Sequence, residues 1–258
     1  MKAGNALWFN NFGINAGAAL RLFAFPFAGG SAAAYRTWAG KLPGVEVVAV
    51  CLPGRERRIE EAAFDSLSAL MGQLVPQIAP LLDRPFALFG HSMGALLAFE
   101  LARRLDKAHL PQPEQLFVSA FHVPEMLPQR QRLAHLPDQE FLERLTRYGG
   151  IPAAVLETPE LLRLLVPTMR ADFGLLETFD YRAGPLLACD IAAFYGTSDH
   201  AAPCADMEGW GRHTSGGFTL SGFEGGHFFL KSAEDALLAS IAATLESRQA
   251  ASAARMWA

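Results

Sequence analysis

Gly90-His91-Ser92-Met93-Gly94 is the stretch of this 258-residue chain whose residue types and spacing most directly suggest chemistry. It matches G-x-S-x-G, and it sits after the apolar run Phe86–Phe89 and before a helical run that starts at Ala95. Glycines at the outer positions allow a strand to turn into a helix so tightly that a Cβ would collide with backbone. Ser92 is then strained, with its hydroxyl exposed. A hydroxyl is a weak nucleophile at neutral pH, so acyl transfer at Ser92 requires a base within hydrogen-bond reach and a carboxylate to orient that base.

Seven histidines compete for the role of base: His91, His109, His122, His135, His200, His213 and His227. In a parallel sheet the carboxyl ends of the strands share one edge. Ser92 lies on that edge, so its partners should follow strands rather than precede them. His213 comes ahead of the last strand, His109 ends a helix that returns to the opposite edge, and His91 is too close along the chain. His227 follows the final strand in Phe223-Glu224-Gly225-Gly226-His227, where glycines free the backbone to swing the imidazole toward the serine. The same filter favours Asp199, which follows a strand through Gly196-Thr197-Ser198, over Asp190, which begins that strand. Glu125 and Asp206 are the fallback carboxylates. The developing oxyanion needs two donors. The Met93 amide is one, and the glycine-rich loop Phe25-Pro26-Phe27-Ala28-Gly29-Gly30 supplies the other, at Ala28 with Phe27 next.

Arg55, Arg57 and Arg58 form a dense basic cluster near the same edge. Such a run is either a solvated loop or a patch that steers an acidic partner or a phosphate to the crevice. Cys51, Cys189 and Cys204 have no neighbour placed to activate them and read as inert packing. No metal-ligand spacing or cofactor fingerprint is present.

The elements that would position these residues are legible as short apolar runs alternating with helical periodicity, the pattern of a parallel sheet covered on both faces. Strands are expected at Leu20–Phe25, Val45–Leu52, Phe86–Gly90, Gln115–Phe121, Asp190–Tyr195 and Phe218–Phe223. Helices are expected near Ala32–Leu42, Leu67–Leu82, Met93–Leu105 and Ala233–Glu246. The alternation stops between Phe121 and Asp190. There Asp138–Arg147 and Pro159–Asp180 have helical spacing, and Leu161, Leu162, Leu165, Met169, Phe173 and Leu176 make a broad apolar face. The chain thus reads as one α/β domain over residues 1–258 with a helical insertion at about 122–186. That insertion either packs as core or covers the crevice as a lid. The Ala-rich tail after Ser247 is expected to fray.

Composition narrows the classes. A chain that is 51% hydrophobic and 19% charged is too apolar for disorder. With 22 basic against 26 acidic side chains it carries −4, which disfavours nucleic acid as the main partner. The run from Ala16 to Ala34 is broken by Arg21, Pro26, Gly29 and Gly30 and does not make a membrane span. No signal peptide is evident. Three widely spaced cysteines point to a reducing, cytoplasmic compartment. A monomer is the default, since no heptad seam appears.

Taken in order, these motifs resemble those of the type II thioesterases, stand-alone editing enzymes of nonribosomal peptide and polyketide synthases. The resemblance runs from the Phe25–Gly30 loop through Pro53-Gly54-Arg55-Glu56, Gly90–Gly94, Leu136-Pro137-Asp138, Tyr148-Gly149-Gly150-Ile151-Pro152 and Arg170-Ala171-Asp172-Phe173. It continues to Gly196–Asp199 and Gly225-Gly226-His227-Phe228. It implies an α/β-hydrolase fold with Ser92 as nucleophile, His227 as base, Asp199 as orienting acid, and the Ala28 and Met93 amides as oxyanion hole. It also implies what spacing does not: an acyl thioester substrate on the phosphopantetheine arm of an acyl or peptidyl carrier protein, hydrolysed without a cofactor in secondary metabolism such as antibiotic biosynthesis. Phe27, Met169 and Phe173 would then meet the substrate, and Arg55 and Arg58 an acidic carrier protein. Phe27 stands where the family usually has His, and His200 where it usually has Pro. The competing readings are a carboxylesterase or acyltransferase on the same scaffold, and a non-catalytic synthase-binding partner.

Overall fold

The computed structural model describes residues 5–13, 15, 17–129, 131–149, 151 and 153–256. Seven strands form one sheet: β1 Phe9–Asn11, β2 Leu20–Phe25, β3 Val45–Val50, β4 Phe86–His91, β5 Gln115–Ser119, β6 Asp190–Gly196 and β7 Phe218–Phe223. Their order is β1-β3-β2-β4-β5-β6-β7, with β1 antiparallel to β3 and every other pair parallel. The six strands read from apolar runs are in place. Strand β1 was not anticipated, because three residues, two of them asparagine, carry no period; only pairing with β3 makes it a strand.

All residues of β2, β3, β4 and β5 are buried, as a parallel sheet covered on both faces requires. The two charges inside them, Arg21 and Glu46, are register partners and pair at 2.8 Å, so neither is buried unpaired. Alternation along β2 divides the core into two layers. Phe23 and Phe25 join Leu97 and Leu101 on one face, while Leu22 and Ala24 join Trp38 and Ile241 on the other.

Helices Leu67–Ile78 and Met93–Lys107 and a 3-10 segment at Ala32–Gly40 cover the sheet. The last helix runs from Glu234 to Met256, past the fraying point expected at Ser247. Alanine is the best helix former, and a run of alanines extends a helix that is already nucleated.

Between β5 and β6 the chain forms helices Asp138–Thr146, Ala153–Leu156 and Pro159–Glu177. Among its described residues there is no strand beyond an isolated bridge at Leu187. Gly150 and Pro152, part of one motif quoted above, lie outside the described residues. This insertion carries its own small core, in which Leu133, Phe141, Leu145, Val166 and Met169 are buried together.

Candidate active site

Strand β4 hands over to the Met93–Lys107 helix at Ser92, which adopts φ 52° and ψ −123°, a left-handed φ that strains any residue with a Cβ. The flanking glycines are steric necessities. A Cβ on Gly90 would fall 1.9 Å from the Gly94 carbonyl oxygen, and one on Gly94 would fall 2.3 Å from that of Phe25. The Ser92 amide donates to the Ser119 carbonyl at 2.7 Å, which anchors the turn to β5. The turn therefore sits at the carboxyl ends of β2, β4 and β5 at once.

The loops after β6 and β7 complete the constellation. Ser92 Oγ lies 3.0 Å from His227 Nε2, and His227 Nδ1 lies 2.8 Å from Asp199 Oδ2. A carboxylate only accepts, so Nδ1 carries the imidazole proton and Nε2 is left to accept from the Ser92 hydroxyl. Asp199 Oδ1 accepts from the amides of Ala201 at 2.8 Å and Ala202 at 3.4 Å. Burial pushes the Asp199 carboxyl up, but the His227 hydrogen bond and charge with those two amides outweigh it, and the pKa is lowered below 3.8. The two loops are laced together where the Thr197 amide donates to Phe223 O and the Ser198 amide to Gly225 O. Gly225 takes φ 127°, and a Cβ on Gly196 would fall 2.4 Å from Gly226 O.

The remaining candidates separate cleanly. His91 is fully buried, with Nδ1 2.9 Å from Ser119 Oγ; burial and the nearby His227 push its pKa well below 6.5, so it stays neutral. His213 pairs with Glu125 at 3.2 Å, so that fallback acid is engaged by a histidine other than His227. Asp206 lies in the short helix Cys204–Glu208. His200 is exposed on the Asp199 loop. All three cysteines are free, and burial, first among the causes, raises both Cys51 and Cys189 to about 11.

The arginine cluster corrects the expectation of a docking patch. Arg55 and Arg58 are each 5% exposed. Arg55 pairs with Asp172 at 2.7 Å, while Arg58 pairs with Glu61 at 2.6 Å, donates to the Cys51 carbonyl and lies 4.1 Å over the Trp8 ring. Arg57 is exposed but donates to Phe9 O. Charge density along the sequence suggested a surface because the partner of Arg55 is 117 residues away.

Two cavities meet at His227 and Tyr148. One, about 390 Å³, is lined by Ser92, Phe27, Ala28, Met169, Phe173 and Leu176 among others and is mostly apolar. The second, about 480 Å³, lies on the Asp199 side and presents Gln131, Arg144, Arg147 and His200. Met169 and Phe173 thus line the chamber beside the serine. The Tyr148 ring, 5.4 Å from that of His227, and Phe228, 4.9 Å from Phe27, are wall residues that the sequence reading quoted but gave no role. Asp172 was also quoted without a role; its i, i+3, i+4 relation to Met169 and Thr168 was the available signal.

Comparison with known proteins bears on this arrangement. A family model for the thioesterase domain matches residues 20–246. The chain is 41% identical to the linear gramicidin dehydrogenase LgrE of Brevibacillus parabrevis, covering 93% of both chains. It is 38% identical to the gramicidin S biosynthesis protein GrsT of Aneurinibacillus migulanus, covering 86% of this chain and 88% of that one. The name of the first carries a redox activity, but this chain has no G-x-G-x-x-G fingerprint. Among solved structures, the type II thioesterase BorB from the borrelidin biosynthetic cluster superposes with a TM-score of 0.84 at 38% identity, covering 92% of this chain and 96% of that one. The sheet order, the turn at Ser92 and these matches agree: the chain belongs to the thioesterase-domain family, and within it to the type II thioesterases of nonribosomal peptide and polyketide pathways, thioester hydrolases of α/β-hydrolase fold.

Proposed function

We propose that Ser92, His227 and Asp199 are the catalytic triad of this hydrolase and that its substrate is an acyl group on the phosphopantetheine thiol of a carrier protein. The observation that carries the reading is the unbroken relay from Ser92 Oγ through His227 to Asp199, at the wall of an apolar chamber. His227 Nε2 takes the hydroxyl proton as Ser92 Oγ attacks the thioester carbonyl carbon. The Ala28 and Met93 amides receive the oxyanion. As the tetrahedral intermediate collapses, the C–S bond breaks and His227 returns the proton to the departing thiolate. Water, deprotonated by the same nitrogen, then attacks the acyl-serine and releases a carboxylic acid, leaving Ser92 protonated.

Polarity assigns the two cavities. The apolar chamber suits an acyl chain, which gains by leaving water, and the helical insertion that walls it serves as its lid. The cavity on the Asp199 side, whose lining is mixed, suits the amides and phosphate of the arm, since Gln131 offers hydrogen bonds and Arg144 and Arg147 offer charge. Three free cysteines suit work in a reducing cytoplasm. Ser92→Ala is expected to abolish release of acyl groups from loaded carrier protein, followed by mass, while the thermal midpoint stays near that of the parent. Turnover surviving in that variant would sink the assignment.

A further inference from the structure

The loop after β2 carries the Ala28 amide proposed as an oxyanion donor. Within the loop, the Gly30 amide closes a tight turn on Phe27 O at 2.8 Å. Its other anchors come from elsewhere. The Gly29 amide donates to Asp172 Oδ2 at 2.8 Å, and Arg55 Nη1 donates to Gly30 O at 3.0 Å. Arg55 and Asp172 grip each other in a bidentate pair, at 2.7 Å and 3.0 Å, with only 2% of Asp172 exposed. Asp172 belongs to the inserted helix Pro159–Glu177, so one carboxylate joins three segments: the β2 loop, the Pro53–Arg58 loop and the insertion.

The same helix face reinforces the junction. Thr168, one turn earlier, donates to Gly54 O at 2.7 Å. Met169 lies so close that a Cβ on Gly29 would be 2.9 Å from its Cγ. A buried ion pair is a poor means of gaining stability, because desolvation offsets most of the attraction, and apolar replacements of similar volume often do as well. What an apolar pair would not supply is an acceptor for the Gly29 amide.

We infer that Asp172 is a positioning residue of the oxyanion hole: through the Gly29 amide, and through Arg55 on the Gly30 carbonyl, it sets the Ala28 donor, so the hole is complete only while the inserted helix is docked. The inference rests on the proposed roles of Ser92 and Ala28. It has a consequence for specificity. Leu165, Met169, Phe173 and Leu176 line the acyl chamber from the helix that carries Asp172. An acyl chain that fills the chamber favours the docked helix and hence the assembled hole. Longer chains therefore raise kcat and do not merely lower KM.

The test uses Asp172→Leu alone and the paired replacement Arg55→Met with Asp172→Leu, with Ser92→Ala run alongside. Four quantities are followed: kcat and KM on acyl-pantetheine thioesters, thermal midpoint, and affinity for an acyl trifluoromethyl ketone, whose adduct with the serine carries an oxyanion. Asp172→Leu, which leaves the Gly29 amide no acceptor, is expected to lower the thermal midpoint and to lower kcat about a hundredfold with KM changed only about threefold, and to weaken the ketone in parallel. The paired replacement is expected to recover the thermal midpoint but not kcat, since the Gly29 amide still lacks its acceptor. A folded Asp172→Leu enzyme with kcat within about twofold of the parent would overturn the inference, as would a paired variant whose kcat returns with its stability. Turnover surviving in Ser92→Ala would instead overturn the triad on which the inference stands.

Discussion

The sheet edge and the helical insertion hold their residues by different means. At the edge, Ser92, Asp199 and His227 are fixed by backbone: a strained turn, glycines with no room for a Cβ, and loops laced by amide-to-carbonyl bonds. In the insertion, position is set by side chains: the small core around Phe141 and Met169 and the ties from Thr168 and Asp172 to loops of the sheet domain. Backbone-defined geometry tolerates almost no substitution and tells little about the substrate. Side-chain-defined geometry tolerates change and is the kind that can select among acyl groups. On the roles proposed above, one region sets whether the reaction runs, and the other sets on what and how fast.

That contrast is open to test by substitution at each side of it. Asp199→Asn keeps the shape but stabilises the wrong imidazole tautomer, and should cost about ten-thousandfold in kcat with the fold intact; steady-state rates at constant thermal midpoint check this. The same carboxyl gives a pH signature. Its pKa is depressed in the folded chain, so its contribution to stability is present above the ordinary value of 3.8 and is lost as pH falls through the lower folded value. The parent should therefore lose more thermal stability than Asp199→Asn as pH is lowered below 3.8. Gly94→Ala places a Cβ 2.3 Å from Phe25 O and must displace the turn, at a cost of about a hundredfold in kcat together with a lower melting temperature.

In the insertion the effects should be smaller and substrate-dependent. Met169→Ala opens the chamber wall and should reduce kcat/KM about tenfold for acyl chains that reach it and far less for acetyl, as a chain-length series would show. Equal losses on all chains would mean that the wall is scaffold only. The smallest effect belongs to the thiols. Cys51 and Cys189, raised to about 11, should resist maleimide in the native protein at neutral pH, with labelling read by mass before and after unfolding.

Much of the sheet edge was legible in the chain itself. The serine motif, the strand-then-loop position of Asp199 and the glycines before His227 are local facts, and a parallel sheet turns them into proximity by putting every strand's carboxyl end on one side. Strand β1 was not legible, since three residues have no period, and neither was the helix extension to Met256. The arginines were misread for a deeper reason. Arg55 and Arg58 look alike to a charge count, yet one is closed on Asp172 of the insertion and the other on Glu61 and Trp8.

The sequence by itself determined the fold class, the strands that carry the site and the three residues that meet at its centre, because periodicity and strand-end position are short-range properties. Only the tertiary structure decided that Arg55 and Arg58 are interior, that an apolar cavity and one of mixed lining meet at His227, and that Asp172 grips the loop bearing Ala28. The grip of Asp172 joins segments 117 residues apart, and nothing along the chain records which distant carboxylate a guanidinium will find.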